Sequence, residues 1–104
     1  MDVLQKKQSI SLDSIAVASS ELVSANLDGE VVILGFSTGS YFSLDQVGTF
    51  VWDLIQKPQN VSDLRDAILE EYEIDPVHCE RDLITLLEEL VDKQLIDIRA
   101  ELAA

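Results

Sequence analysis

His78 and Cys79 are the only histidine and the only cysteine in this 104-residue chain, and they are adjacent. An imidazole beside a thiol can activate a nucleophile or begin a metal site, so this pair is the first place to look for chemistry. Neighbouring helical positions point about 100° apart, which separates the two groups, and a zinc site needs at least three protein ligands. A thiol in a helix's first turn gains thiolate character from the dipole, but Asp75 and Glu80 oppose that charge. Cys79 is therefore expected to be a buried structural thiol. The chain has no glycine-rich phosphate loop and no serine–histidine–aspartate signature, and its 20 acidic residues make any choice of catalytic pair arbitrary. The residue types imply no catalytic group, metal or cofactor, and a protein that works by binding.

Composition bounds what it can bind. With 47% hydrophobic residues, 26% charged residues and a formal net charge of -13, the chain describes one acidic-surfaced domain. Scaling of folded surface lets a chain of this mass bury about 65% of its unfolded surface, enough for a core without staples. One cysteine excludes an internal disulfide and points to a reducing compartment. The longest apolar run, Val31 to Phe36, is far short of the roughly 20 residues a membrane span needs. Lys6 and Lys7 are followed by polar residues rather than by the apolar stretch of a signal peptide, so the expected location is the cytoplasm. Residues 1–60 hold seven acids and three bases, whereas residues 61–104 hold thirteen acids and four bases. Such a surface repels phosphate, which argues against nucleic acid and favours a basic ligand, unless the charge only keeps the chain soluble.

Strand patterns come first along the chain and helix patterns after. Residues 1–14 lack a period and are expected to be loosely attached and dispensable for folding; the domain is drawn at 21–104, with 1–20 as a weakly ordered segment. Leu22–Leu27 and Glu30–Phe36 are strand-like runs joined by Asp28 and Gly29, a dipeptide suited to a two-residue hairpin. A turn at Ser37–Gly39 leads to a short edge strand, Ser40–Leu44, completing an antiparallel meander. Its middle strand is apolar on both sides, so both sheet faces are expected to be partly covered. Asp45 caps a first helix that ends before Pro58, with Val47, Phe50, Val51 and Leu54 on one face. Asn60 caps a second helix over about Val61–Tyr72. Asp75 and Pro76 start a third that runs to about Gln94, and Leu95, Ile96 and Ile98 form a terminal strand. The fold class is α+β and winged-helix-like: a three-stranded antiparallel meander followed by three helices.

The third helix is apolar over about half its circumference, from Leu86 and Cys79 round to Ile84 and Val77, so it must touch more than one neighbour. One edge of that arc mixes Cys79, Asp82, Leu86, Glu89 and Lys93, a composition suited to bordering a groove; the other carries Ile84, Glu88 and Val91.

Two other readings stand as alternatives: a winged-helix DNA-binding or other protein-interaction module and, more remotely, an acyl carrier protein. Asp13, Ser14 and Ile15 are similar to the phosphopantetheine attachment site of acyl carrier proteins, but there the serine opens a helix within a helical bundle, not a segment ahead of strands. A winged-helix DNA binder would use the third helix for recognition, yet Arg81, Lys93 and His78 there face Glu80, Asp82, Glu88, Glu89 and Asp92.

An ordered set of positions closely resembles the PqqD-like peptide-modification chaperones. It runs through Asp28, Gly29, Val32, Leu34, Thr38, Gly39, Tyr41, Leu44, Gly48, Val51, Trp52 and Leu54. It continues with Val61, Leu64, Tyr72 and Ile74, then with Asp82, Leu83, Leu86, Leu87, Leu90, Leu95 and Ile96. The segment Thr38–Trp52 is most similar to the discrete leader-binding proteins of lasso-peptide clusters. The resemblance implies a RiPP recognition element: a non-catalytic chaperone that binds the leader of a ribosomally made precursor peptide and presents it to a leader peptidase, cyclase or other modifying enzyme. It further implies that the leader adds a strand to the third strand's edge, against the third helix. The peptide-binding residues so implied are Ser40, Tyr41, Phe42, Ser43, Leu44, Asp82, Leu83, Leu86, Glu89 and Leu90. The leucines would receive apolar or aromatic anchors, and Asp82 and Glu89 would meet leader Lys or Arg at the rim. Trp52 is expected to anchor the first helix in the core; an exposed ring would instead mark a docking surface for the partner enzyme.

Overall fold

The computed structural model describes residues 10–20, 22–35, 39 and 41–99. The element order is β1 (Ile15–Ala18), β2 (Leu22–Leu27), β3 (Glu30–Gly35), β4 (Tyr41–Ser43), α1 (Gln46–Leu54), β5 (Gln59–Asn60), α2 (Val61–Glu71), α3 (Pro76–Asp92) and β6 (Ile96–Arg99).

Strands β2, β3 and β4 form the expected antiparallel meander, with β3 in the middle. Asp28 and Gly29 both take positive φ, 57° and 86°, as the two central residues of a type I′ turn do, and the Asn26 side-chain carbonyl accepts from the Gly29 N–H. Val31, Ile33 and Gly35 of β3 face the interior and are buried. The opposite face differs from expectation: Leu34 is exposed and Val32 only half-buried, so the helices cover one side of this sheet.

Each helix starts where its capping residue predicts. The Asp45 carboxylate accepts from the Gly48 N–H at 2.8 Å, and the Asp75 carboxylate accepts from the Val77 and His78 N–H groups at 3.1 Å each, with Pro76 opening α3. Hydrogen bonds from these two N–H groups, with the His78 ring beside them, hold the Asp75 carboxyl below its usual range. Trp52 is buried with Val51 and Ile55, as an anchor of α1. Phe50 and Tyr72 meet edge to face, 5.7 Å between centroids, which ties α1 to the end of α2. Arg65 of α2 pairs with Asp66 at 3.1 Å and reaches Glu80 of α3 at 3.5 Å.

The N-terminal part departs from the sequence reading. Ile15–Ala18 forms the centre of a second antiparallel sheet, ordered β5-β1-β6, in which Ile15 pairs with Arg99 and Ala18 with Ile96. Ala16 is fully buried, and Ile10 and Leu12 pack against the core. The boundary drawn at residue 21 therefore cuts through a folded unit. Asn60 occupies the N-cap position of α2 but makes no side-chain capping bond. Backbone carbonyls cap the helix instead, with the Val61 N–H donating to Ser14 and the Ser62 N–H to Leu12. Residues 10–14 count against the expected dispensability of residues 1–14, since Leu12 and Ser14 satisfy two helix donors and Ile10 and Leu12 pack on the core. Deleting residues 1–14 should lower stability by about 2 kcal/mol or more, from lost capping and apolar burial. Urea denaturation followed by circular dichroism reads this, and an unchanged midpoint would contradict it.

Candidate functional site

The groups first singled out for chemistry do not converge. His78 is exposed and its Nδ1 lies 3.1 Å from the Asp75 carboxylate, so the ring extends the α3 cap. Cys79 is buried, its thiol 4.0 Å from the Arg65 carbonyl, and desolvation raises its pKa despite the Arg65 charge nearby. Ser14 is buried ahead of β1, with its hydroxyl accepting from the Ser11 N–H, a placement unlike the exposed, helix-opening serine of an acyl carrier protein.

Among the described residues the fold presents an open strand edge at β4. Leu44 donates its N–H to the Val31 carbonyl at 2.8 Å, just beyond the pairs Ser43–Val32, Phe42–Ile33 and Tyr41–Leu34. Bonded and non-bonded pairs alternate along an antiparallel ladder. With 44–31 bonded, 42–33 is bonded as well, and Tyr41 and Ser43 occupy non-bonded positions. Their N–H and C=O groups point away from β3, to the free side of β4. The side chain of Phe42 points inward, and those of Tyr41 and Ser43 point outward into solvent.

Strand β4 runs beside α3. The Lys93 ammonium lies over the Phe42 ring, 5.7 Å from its centroid. Beyond the strand, a cavity of about 230 Å³ opens between α1 and α3, lined by Asp45, Val47, Gly48, Val51, Ile68, Ile74, Cys79, Asp82, Leu83 and Leu86. Gly48 in this lining packs tightly on the end of the strand, since a Cβ there would meet Leu44 at 3.1 Å. This volume lies below the roughly 300–1,000 Å³ of sites for small molecules, and suits one or two peptide side chains.

The residues assigned from the sequence fall into separate groups. Asp82 and Leu86 line the cavity, Leu86 half-buried and Asp82 exposed, so the edge of α3 carrying Cys79, Asp82, Leu86 and Lys93 is the one that faces β4 and α1. Tyr41, Phe42 and Ser43 form β4. Glu89 is exposed one turn before Lys93 and outside the cavity lining. Leu44, Leu83 and Leu90 are buried at 3%, 3% and 1% exposure. Leu90 and Leu44 are core residues, and Leu83 contributes only to the cavity wall, because one helical step of about 100° separates the groove edge from the core. Ser40 lies outside the described residues. Asp45, Val47, Gly48, Val51, Ile68 and Ile74 were not assigned; the visible signal was Asp45, a capping carboxylate directly after the edge strand.

The sheet's outer side is a second feature. Val23, Leu34 and Tyr41 are cross-strand neighbours with 47%, 42% and 68% exposure, and Leu27 on the same face is 60% exposed. Among the described residues no helix is long and apolar enough to cross a membrane.

An α+β domain with a bare edge at β4, a side-chain-sized cavity near the end of that strand and, among the described residues, no convergent catalytic groups has the form of a recognition domain. Residues 30–96 match the family of Coenzyme PQQ synthesis protein D (PqqD), and the chain belongs to that family. TbiB1, solved in complex with the TbiA(beta) leader peptide, is 41% identical, with 78% of this chain and 94% of that one covered at a TM-score of 0.72. Lasso peptide synthetase B1, complexed with the leader peptide, is 21% identical over 79% and 96% of the two chains, TM-score 0.70. The PqqD truncation of Methylobacterium extorquens PqqCD, a stand-alone RiPP recognition element, is 20% identical over 86% and 95%, TM-score 0.71. No curated protein matches the chain.

Burial and the raised pKa predict a sluggish thiol. Cys79 should react with iodoacetamide at neutral pH much more slowly than a free cysteine, and at the free rate once urea unfolds the chain. A native rate equal to the free one would show the cavity wall to be open at Cys79.

Proposed function

We propose that this protein binds the leader of a ribosomally synthesised precursor peptide by strand addition to β4, and presents it to the enzymes that mature it. The observation that carries this reading is the outward set of N–H and C=O groups on Tyr41 and Ser43, in a strand that leads within two residues to Asp45 at the wall of a largely apolar cavity. Backbone pairing gives register without demanding a sequence, and pockets for alternate side chains supply specificity. The family membership and the leader complex of the 41% identical TbiB1 support it. The protein's own role is non-catalytic, and it acts in the cytoplasm with a leader peptidase and a cyclase or other modifying enzyme. Its acidic α3 works against the alternative of reading DNA. Strand β2 is also an edge, but the cavity lining begins at Asp45, two residues after β4 ends, which favours β4 as the edge the peptide takes.

Those enzymes need a surface the peptide leaves free. The outer face of the meander supplies one, since a contiguous row of Val23, Leu34 and Tyr41 left in water marks an association surface. Trp52 contributes nothing to it, because that ring is buried as the anchor of α1.

Proline at position 43 tests strand addition directly, since the Ser43 N–H faces the free edge and edge strands tolerate proline where the N–H faces out. Ser43→Pro should keep the fold and weaken leader binding roughly tenfold or more in calorimetry, whereas Phe42→Pro should unfold β4. Full affinity in Ser43→Pro would sink the strand-addition reading. For the outer face, Leu34→Glu should leave leader affinity unchanged and slow leader removal by the partner peptidase. Equal rates would place the enzyme elsewhere.

A further inference from the structure

The cavity carries more chemistry than backbone pairing uses. Its wall is apolar except at two carboxylates, Asp45 from the start of α1 and Asp82 from α3. One oxygen of Asp45 is held by the Gly48 N–H at 2.8 Å, which fixes the carboxylate in place and leaves its second oxygen free to accept. Among the described residues Asp82 makes no hydrogen bond or ion pair, and it is exposed. The surrounding chain, at -13, adds to a negative potential at this mouth.

We infer that the peptide accepted by this groove carries a Lys or Arg two residues from its apolar anchor, with the anchor in the cavity and the cation between Asp45 and Asp82. The inference rests on the strand-addition reading above and adds the chemical class of the ligand. The spacing follows from the register. Peptide residues lying beside Tyr41 and Ser43 bond to the edge and turn their side chains outward, as those two residues do. The inward-facing residues alternate with them, so any two consecutive inward side chains are two residues and about 6.6 Å apart. An apolar side chain fills the cavity against Val47, Val51, Ile68, Ile74 and Leu86. The next inward side chain stands at the mouth, where an acid would be repelled by two carboxylates and a neutral group would leave them unmatched. A long flexible cation placed there meets that negative charge while its stem covers the apolar rim. At the rim, charge of this kind selects among peptides and speeds their encounter more than it adds raw affinity.

A displayed library of random twelve-residue peptides, selected on the full chain, tests the idea. The comparison protein is Asp45→Asn/Asp82→Asn, which removes both charges while asparagine retains capping ability at position 45; melting curves verify that both proteins fold. The expected result is enrichment of Lys or Arg two positions from an aromatic or aliphatic residue on the native chain. The double variant should keep the apolar preference and lose the cationic one. In an enriched peptide, replacing the cation by norleucine should cost roughly two- to fivefold in affinity at low salt and nothing on the double variant. The difference should shrink at about 0.5 M salt. Apolar enrichment without a cation, or a cation preference that survives in the double variant, overturns the inference and leaves strand addition standing. No enrichment of any peptide overturns the strand-addition reading itself.

Discussion

Val31 is the joint on which this structure turns. Its carbonyl accepts from Leu44, which ends the β3–β4 ladder, while its N–H donates not to a strand but to the Thr49 hydroxyl of α1 at 3.0 Å. That single substitution of partner stops β4 after three residues, accounts for the buried Thr49, and bends the chain into α1 immediately beyond the strand. A buried N–H without such a partner would cost about 1–3 kcal/mol, so the turn is strongly enforced. Two consequences reach the site. The parity of the ladder decides that Tyr41 and Ser43, rather than Phe42, face the free edge. The early start of α1 brings Asp45 and Gly48 against α3, opening a cavity at the strand's end instead of continuing the sheet.

Local signals in the sequence were enough for most of the fold. The Asp28–Gly29 turn, the caps at Asp45 and Asp75 and the long apolar arc of α3 each depend on residues within a few positions of one another, and each stands where expected. The second sheet does not have that property. Ile15–Ala18 is four residues long and pairs with Ile96–Arg99, near the opposite end of the chain, so neither strand carries a local mark of its partner. Asn60 shows the opposite failure. It is a good capping residue by type, and the carbonyls of Leu12 and Ser14 reached the α2 donors through tertiary contact instead.

The site divides along the same line. Helical period was sufficient to place Asp82 and Leu86 on the groove side of α3, but not to separate Leu83 and Leu90 from them, because the apolar arc runs continuously from groove edge to core. The cavity's other wall was illegible, since it exists only where α1, the end of α2 and α3 approach one another. The outer apolar face was misjudged for a related reason: an apolar middle strand says that both faces are dry somewhere, and cannot say whether a helix or another protein keeps them so.

The short edge also bounds how recognition must work. Tyr41 and Ser43 offer four outward backbone groups, and at about 0.5–1.5 kcal/mol net each these contribute only a few kcal/mol. Association costs at least about 4 kcal/mol in lost freedom before any side chain is ordered, so the edge alone cannot hold a peptide at micromolar concentration, which needs about 8 kcal/mol. Burying one large apolar side chain in the cavity adds about 1.5–3 kcal/mol. Edge and cavity together still fall short of that figure, so contacts along the rest of the peptide contribute as well, while the two features are joined through Leu44 and Asp45. Binding therefore demands that backbone register and anchor position agree. A peptide that satisfies the edge in the wrong register turns its anchor outward, away from the cavity, because a one-residue slip exchanges the two faces of a strand. On the proposed strand addition, selectivity among peptides arises from geometry that a three-residue strand and one cavity define.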